Sequence, residues 1–239
     1  MIAMSVLDQI KGGLIVSCQA QEGDPLYGAH IMARMAKAAE IGGAVGIRAN
    51  GAADIQAIKQ TVLLPLIGIE KRHYPGFAPY ITPTIEEVKR VIDAGADIVA
   101  IDATKRIKPG HLTTEAFVRQ IRSHFPQALL MADVSTLEEG VQAAELGFDL
   151  IATTLAGYTT HETQPDQPNF HLIAQLSRAV SVPVIAEGKI WTPEEAFKAL
   201  TLGAFAVVVG TAITRPQEIT RRFTSYIQSH RGAVDVTGK

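Results

Sequence analysis

Along this chain, short continuous runs of apolar and β-branched residues alternate with longer stretches in which apolar residues recur every three to four positions. Eight runs have strand length: Leu14–Cys18, Ala44–Ala49, Leu66–Glu70, Asp97–Asp102, Ala128–Asp133, Leu150–Thr154, Val182–Glu187 and Ala206–Gly210. The stretches between them, such as Ile85–Gly95 and Leu137–Gly147, carry the spacing of amphipathic helices. Apolar strands separated by helices predict a parallel sheet covered on both faces.

A weak repeat sharpens this. Four strands follow a helix that ends in glycine, at Gly43, Gly95, Gly147 and Gly203, spaced 52, 52 and 56 residues apart. Glycine suits the left-handed residue just past a helix end. Three intervening strands are preceded by proline instead, at Pro65, Pro126 and Pro183. Eight strands in such double units favour closure over an open doubly wound sheet, which has about five or six. The chain has 239 residues, close to the ~250 typical of a (β/α)₈ barrel. The expected architecture is one such barrel domain over residues 1–239, with no internal boundary.

Composition narrows the partners. Hydrophobic residues make up 47% and charged residues 19%, with net charge −2. That is a globular composition with no basic stripe, so nucleic acid is not expected. No apolar run could cross a bilayer, and no signal peptide is apparent at the start. A single cysteine, Cys18, excludes an internal disulfide. These features point to the cytoplasm.

In a barrel of this kind the active site lies at the C-terminal ends of the strands. Those ends carry Ser17, Cys18 and Gln19, then Arg48, Lys71, Asp102, Asp133, Thr153 and Thr154, Glu187, and Thr211. Polar residues at nearly every strand end predict a polar cavity. Blander readings stand beside this. Arg48 fits a buried ion pair with Asp102 or Asp133, and Cys18 fits a small buried hydrophobe. Asp133 could simply precede a helix capped by Ser135, with Glu138 completing the box. Lys71 fits a solvated lysine. Glu187, between an apolar run and a glycine, starts at the barrel mouth. The irregular stretch at about 157–169, rich in Thr, Gln and Pro, reads as an active-site loop or as a tolerated insertion.

Barrel enzymes often bind phosphate between the loops after strands seven and eight. Here those strands end in Glu187-Gly188-Lys189 and Gly210-Thr211-Ala212, and Arg215 follows with a fork of donors. No metal-ligand spacing, Walker loop or dinucleotide fingerprint occurs, so neither metal nor cofactor is expected.

Eight segments then carry a likeness to a known family: GLIVSCQA (13–20), GGAVGIRA (42–49), PLIGIEKR (65–72), AIDATKR (100–106), MADVSTLEEG (131–140), TTLAGYT (153–159), PVIAEGKI (183–190) and VGTAITRP (209–216). Together they resemble the N-acetylmannosamine-6-phosphate 2-epimerase family along nearly the whole chain. The resemblance implies interconversion of N-acetylmannosamine 6-phosphate and N-acetylglucosamine 6-phosphate in sialic acid breakdown, without a cofactor. It implies Lys71 and Glu187 as catalytic residues, and Gln19, Arg48, Asp133, Thr154 and Tyr158 as substrate contacts. Phosphate would be held by Gly188, Lys189, Gly210, Thr211 and Arg215. The chain departs from the family's usual pair of glycines at Gly210-Thr211 and from its usual arginine at Lys189, both at the phosphate end.

The chemistry fits these groups. Inversion at C2 of the open-chain aldehyde removes and returns a proton on a carbon next to the carbonyl. A lysine does this only if burial or cationic neighbours lower its pKa from ~10.4 towards ~7–8; Arg48 and Arg72 are the candidate neighbours. Strands three and seven lie opposite each other in an eight-stranded barrel, so Lys71 and Glu187 can face one another. Rival readings are another phosphate-binding barrel, such as an indole-glycerol-phosphate or thiamine-phosphate synthase, and a Schiff-base aldolase. A barrel that binds a sugar phosphate without turning it over is a third. One tryptophan and 6% aromatics argue against an indole pocket, and strand six lacks a lysine. The expected partner is a small phosphorylated amino sugar, with self-association as a homodimer.

Overall fold

The apolar runs fold as eight strands in a computed structural model that describes residues 4–158 and 167–231. They are β1 Leu14–Cys18, β2 Gly46–Asn50, β3 Leu66–Ile69, β4 Ile98–Asp102, β5 Leu129–Asp133, β6 Leu150–Ala152, β7 Val184–Glu187 and β8 Ala206–Val209. All pair in parallel in chain order, and β8 returns to β1 to close a barrel. The helices are α1 Val6–Ile10, α2 Ala29–Ile41, α3 Ala52–Lys59, α4 Ile85–Asp93, α5 Thr114–His124, α6 Leu137–Glu145, α7 Phe170–Ala179, α8 Pro193–Thr201, α9 Thr211–Thr214 and α10 Pro216–Ser229. This is the expected (β/α)₈ architecture, with strand ends displaced by a residue or two.

Two apolar layers hold it. Ile47, Ala49, Leu66, Val99 and Ile101 face the helices, among residues such as Ile55, Val88 and Phe117. Ile15, Ile67, Ile69, Met131, Ile185 and Val208 fill the interior, with Ile10 of α1 beneath them. Side chains alternate in and out along a strand. The parity that sends Ile67 and Ile69 inward therefore also selects Lys71, and likewise Asp133 after Met131 and Glu187 after Ile185. The apolar interior at the N-terminal end becomes a charged mouth at the other.

The repeat glycines Gly43, Gly95, Gly147 and Gly203 have φ of 92°, 97°, 82° and 103°. Each ends its helix in the left-handed region, as the spacing implied. The cap of α6 differs from expectation. It is Thr136 with Glu139, one residue beyond Ser135 and Glu138. Glu139 accepts from the N–H groups of Ser135 and Thr136 at 2.8 and 3.2 Å and from the Ser135 hydroxyl at 2.8 Å. The same Thr-x-Glu-Glu box opens α4 at Thr84 and α8 at Thr192. It is thus part of the repeat that the glycines announce.

Candidate active site

Four inward strand-end side chains meet at the barrel axis. Arg48, only 1% exposed, reaches across from β2 to a fully buried Asp133 at the end of β5. Its two terminal nitrogens donate to the two carboxylate oxygens at 3.1 and 2.5 Å, the bidentate geometry that favours arginine. The nitrogen facing Oδ1 also donates to the Thr154 hydroxyl at 3.2 Å and to Glu187. The ion pair weighed in the sequence is therefore real, with Asp133 and Glu187 as partners. Asp102 instead binds Arg106 at 2.6 Å.

The Thr154 oxygen lies 2.6 Å from Asp133 Oδ1 and 3.1 Å from Glu187 Oε2. A hydroxyl has one proton to give, and the shorter contact is with Asp133. The Glu187 contact becomes a hydrogen bond when Glu187 itself carries a proton. Burial, with the Asp133 charge, pushes the Glu187 carboxyl above its ordinary range despite the pull of Arg48 and Thr154.

Lys71 stands just beyond the end of β3. Its backbone N–H donates to the Asn50 side chain at 2.8 Å, which fixes where the side chain begins. Burial lowers the ammonium to about 8, helped by the positive charges of Arg48 and Arg215 and opposed by Glu187 and Asp133. Arg72, expected as a neighbour, has the wrong parity. It turns outward, more than half exposed, to Glu87 at 3.6 Å and the Tyr74 ring at 5.9 Å. Cys18 also faces outward, fully buried among apolar residues, and burial pushes its thiol up to about 12. It is a packing residue.

Lys71, Glu187 and Arg48 line one cavity of about 380 Å³ together with Gln19, Thr154 and Tyr158. Gly188, Lys189, Gly210, Thr211 and Arg215 line the same cavity. Asp133, expected as a substrate contact, is not among the lining residues and binds Arg48 and Thr154. Gln19 donates to Ser17 at 2.9 Å and keeps its carbonyl oxygen for another donor. Tyr158 is 53% exposed, with the Lys189 ammonium 5.1 Å from its ring centre. Of the stretch 157–169 expected as an active-site loop, residues 159–166 lie outside the described residues.

The residues expected at the phosphate also lie together. Gly188 and Lys189 are consecutive left-handed residues, with φ of 110° and 58°. For lysine this conformation is strained, and such strain concentrates at functional sites. Gly210 packs on Ser17, whose Cβ would lie 3.2 Å from any Cβ added there. The α9 residue Thr214 donates to the Ser17 carbonyl at 2.8 Å. Arg215 reaches Asp24 at 3.2 Å. Two aromatic lining residues escaped the sequence reading as site residues. Trp191 follows the β7 loop, and Tyr80 arrives on a segment that returns antiparallel beside Lys71. No group of three or more His, Cys, Asp or Glu suited to a metal occurs among the described residues. None of the described helices is long and apolar enough to cross a membrane.

Comparison with known proteins gives concordant results. Residues 32–229 match the family model described as "Putative N-acetylmannosamine-6-phosphate epimerase". A protein of that name, a 2-epimerase, from Caldanaerobacter subterraneus subsp. tengcongensis is 62% identical over 228 residues, covering 95% of this chain and 96% of its own. One from Clostridium perfringens is 50% identical over 223 residues, covering 93% and 100%. The solved structure of the N-acetylmannosamine-6-phosphate 2-epimerase from Clostridium perfringens superposes with a TM-score of 0.90 at 50% identity, over 93% of this chain and 96% of that one. Thiamine phosphate pyrophosphorylase from Pyrococcus furiosus, at 16% identity and a TM-score of 0.59 over 93% and 99% of the two chains, shares the fold alone.

Proposed function

The chain belongs to the N-acetylmannosamine-6-phosphate epimerase family, and on that premise we propose how its cavity interconverts N-acetylmannosamine 6-phosphate and N-acetylglucosamine 6-phosphate. The reaction inverts C2 and serves sialic acid breakdown. One observation carries the mechanism: Lys71 and Glu187 share a cavity, and their environments move their proton affinities towards each other. A lysine made less basic and a carboxyl made more basic suit exchange of a carbon-bound proton near neutral pH.

In the open-chain aldehyde the C2 proton is acidified by C1, and its removal leaves an enolate. Lys71 and Glu187, from opposite sides of the barrel, serve the two faces of that carbon. Arg48, locked by Asp133, supplies fixed positive charge beside the developing oxyanion. Gly188, Lys189, Gly210, Thr211 and Arg215 hold the 6-phosphate, while Gln19, Thr154 and Tyr158 meet the sugar hydroxyls. The 239 residues act as one barrel domain.

The same reading extends to partners. No residue of α10 is buried. Phe223, Tyr226 and Ile227 are 66%, 67% and 57% exposed on one apolar face. A second copy of the chain covers this face, so the enzyme acts as a homodimer. Its single cysteine is a buried thiol, in keeping with work in the cytoplasm.

The test is turnover of N-acetylmannosamine 6-phosphate in heavy water, followed by NMR. The expected result is the C2 epimer carrying deuterium at C2 as exchange proceeds. Absence of any epimer from the folded protein refutes the assignment.

A further inference from the structure

Tyr80 belongs to none of the strand ends, yet it lines the cavity. The backbone explains its arrival. Residues 80–82 fold back along the end of β3: Arg72 N–H donates to the Tyr80 carbonyl at 2.9 Å, Ile81 pairs with Lys71, and Thr82 N–H donates to Glu70 at 2.9 Å. On the other side Asp102 N–H donates to Ile81 at 3.1 Å. Thr82, fully buried at φ 46°, keeps the fold-back in place through its hydroxyl, which accepts from Glu70 N–H at 3.1 Å. The ring stacks on His73 at 5.3 Å. Tyr80 is thereby tied to the same backbone that carries Lys71.

Its hydroxyl, by contrast, has no hydrogen-bond partner among the described residues. The charges acting on it are those of Asp133, Arg106, Asp102 and Arg48. Tyr80 itself stands at the β3–β4 wall of the cavity, where Ile81 joins Lys71 on one side and Asp102 on the other.

The cavity has a direction. Its phosphate features lie on β7, β8 and β1, and β3 and β4 are opposite β7 and β8 in the closed ring. A hexose 6-phosphate anchored at that edge, with C2 at Lys71, sends its C2 substituent away from the phosphate, towards Tyr80. The C1 oxygen, where negative charge develops, is better served by Arg48, whose buried Nε has no partner of its own. A neutral phenol suits a neutral carbonyl. Burial raises the Tyr80 hydroxyl above its ordinary range, so it remains a donor. Ile69, Ile81 and Leu155, which also line the cavity, offer an apolar bed for a methyl group.

We propose that Tyr80 is a specificity-determining residue: its hydroxyl donates to the carbonyl oxygen of the substrate's 2-acetamido group, and its wall receives the acetyl methyl. The proposal rests on the epimerase reading and deepens it. The substitution Tyr80→Phe keeps the ring and its stacking on His73 and removes only the donor. Two open-chain probes that cannot enolise are compared by calorimetry on the full chain: N-acetylglucosaminitol 6-phosphate and glucitol 6-phosphate, which differ in the C2 substituent. Wild type is expected to prefer the acetamido compound. Tyr80→Phe should weaken that compound about 2- to 12-fold, the equivalent of ~0.5–1.5 kcal/mol, and leave glucitol 6-phosphate unchanged. Equal weakening of both, or of neither, overturns the proposal. Wild-type turnover of N-acetylmannosamine 6-phosphate is measured beside it. Normal turnover with unaltered discrimination sinks Tyr80 alone, whereas no turnover sinks the epimerase reading and the proposal with it.

Discussion

Replacing Lys71 by methionine should make the protein more stable and nearly inactive at the same time. The ammonium is lowered from 10.5 to about 8, chiefly by burial and then by Arg48 and Arg215. At 1.36 kcal/mol per decade of proton affinity this is about 3 kcal/mol, and partial contact with solvent reduces it to ~1–2 kcal/mol. Methionine keeps the apolar stem without the charge, so Tm at pH 7 should rise by roughly 2–8 °C for a chain of this size. The folded chain holds the proton less tightly than the unfolded one. The penalty is therefore complete below about pH 8 and fades as pH rises towards the unfolded lysine's 10.5. The advantage of Lys71→Met should shrink across that window. Turnover should fall ~10²–10⁴-fold, the usual worth of a general acid–base group. Calorimetric scans at pH 7 and pH 10, with an NMR epimerisation assay on the same samples, check both effects. A variant with lower Tm at pH 7, or a folded variant with near-normal turnover, would show the reasoning about Lys71 to be wrong.

Two further outcomes follow from other parts of the site. Arg215→Ala should weaken the phosphorylated sugar roughly tenfold to 150-fold, the worth of one charge-assisted hydrogen bond. It should also move the acidic limb of the kcat/KM–pH profile upward, because one of the cations that lower Lys71 is gone; unchanged affinity and an unmoved limb together remove Arg215 from the phosphate site. Phe223→Glu, on the exposed face of α10, should halve the mass seen by sedimentation equilibrium, and a monomeric wild type at micromolar concentration refutes the dimer.

Much of the barrel was legible because parallel strands covered on both faces are continuous apolar runs, and their helices end on glycines with a regular spacing. The site was legible to the extent that it lies on strand ends. Arg48, Lys71, Thr154 and Glu187 follow from position and parity. Adjacency in sequence misled at Arg72, since a shift of one residue sends a side chain to the opposite face. Arg48 acts on Lys71 as expected, and the second cation is Arg215, more than a hundred residues away. Nothing in the segment around Asp133 reveals that Arg48 crosses the barrel to pair with it. Ser135 and Thr136 both suit a cap; only the three matching Thr-x-Glu-Glu boxes separate them. Tyr80 had no signal of its own, since its place depends on a fold-back made by backbone hydrogen bonds.

The closing seam of the barrel has a bearing on how the molecule comes into being. Thr214 bonds the carbonyl of Ser17, Arg215 bonds Asp24, and β8 completes its ladder against β1. These partners are separated by 197 and 191 residues. On the ribosome the opening strand must wait, its edge uncovered, until nearly all of the chain has emerged. Such long-range pairings form late and slowly. The β8 side of the cavity, with Gly210, Thr211 and Arg215, is thus among the last features to assemble. The cavity is complete only once the barrel has closed.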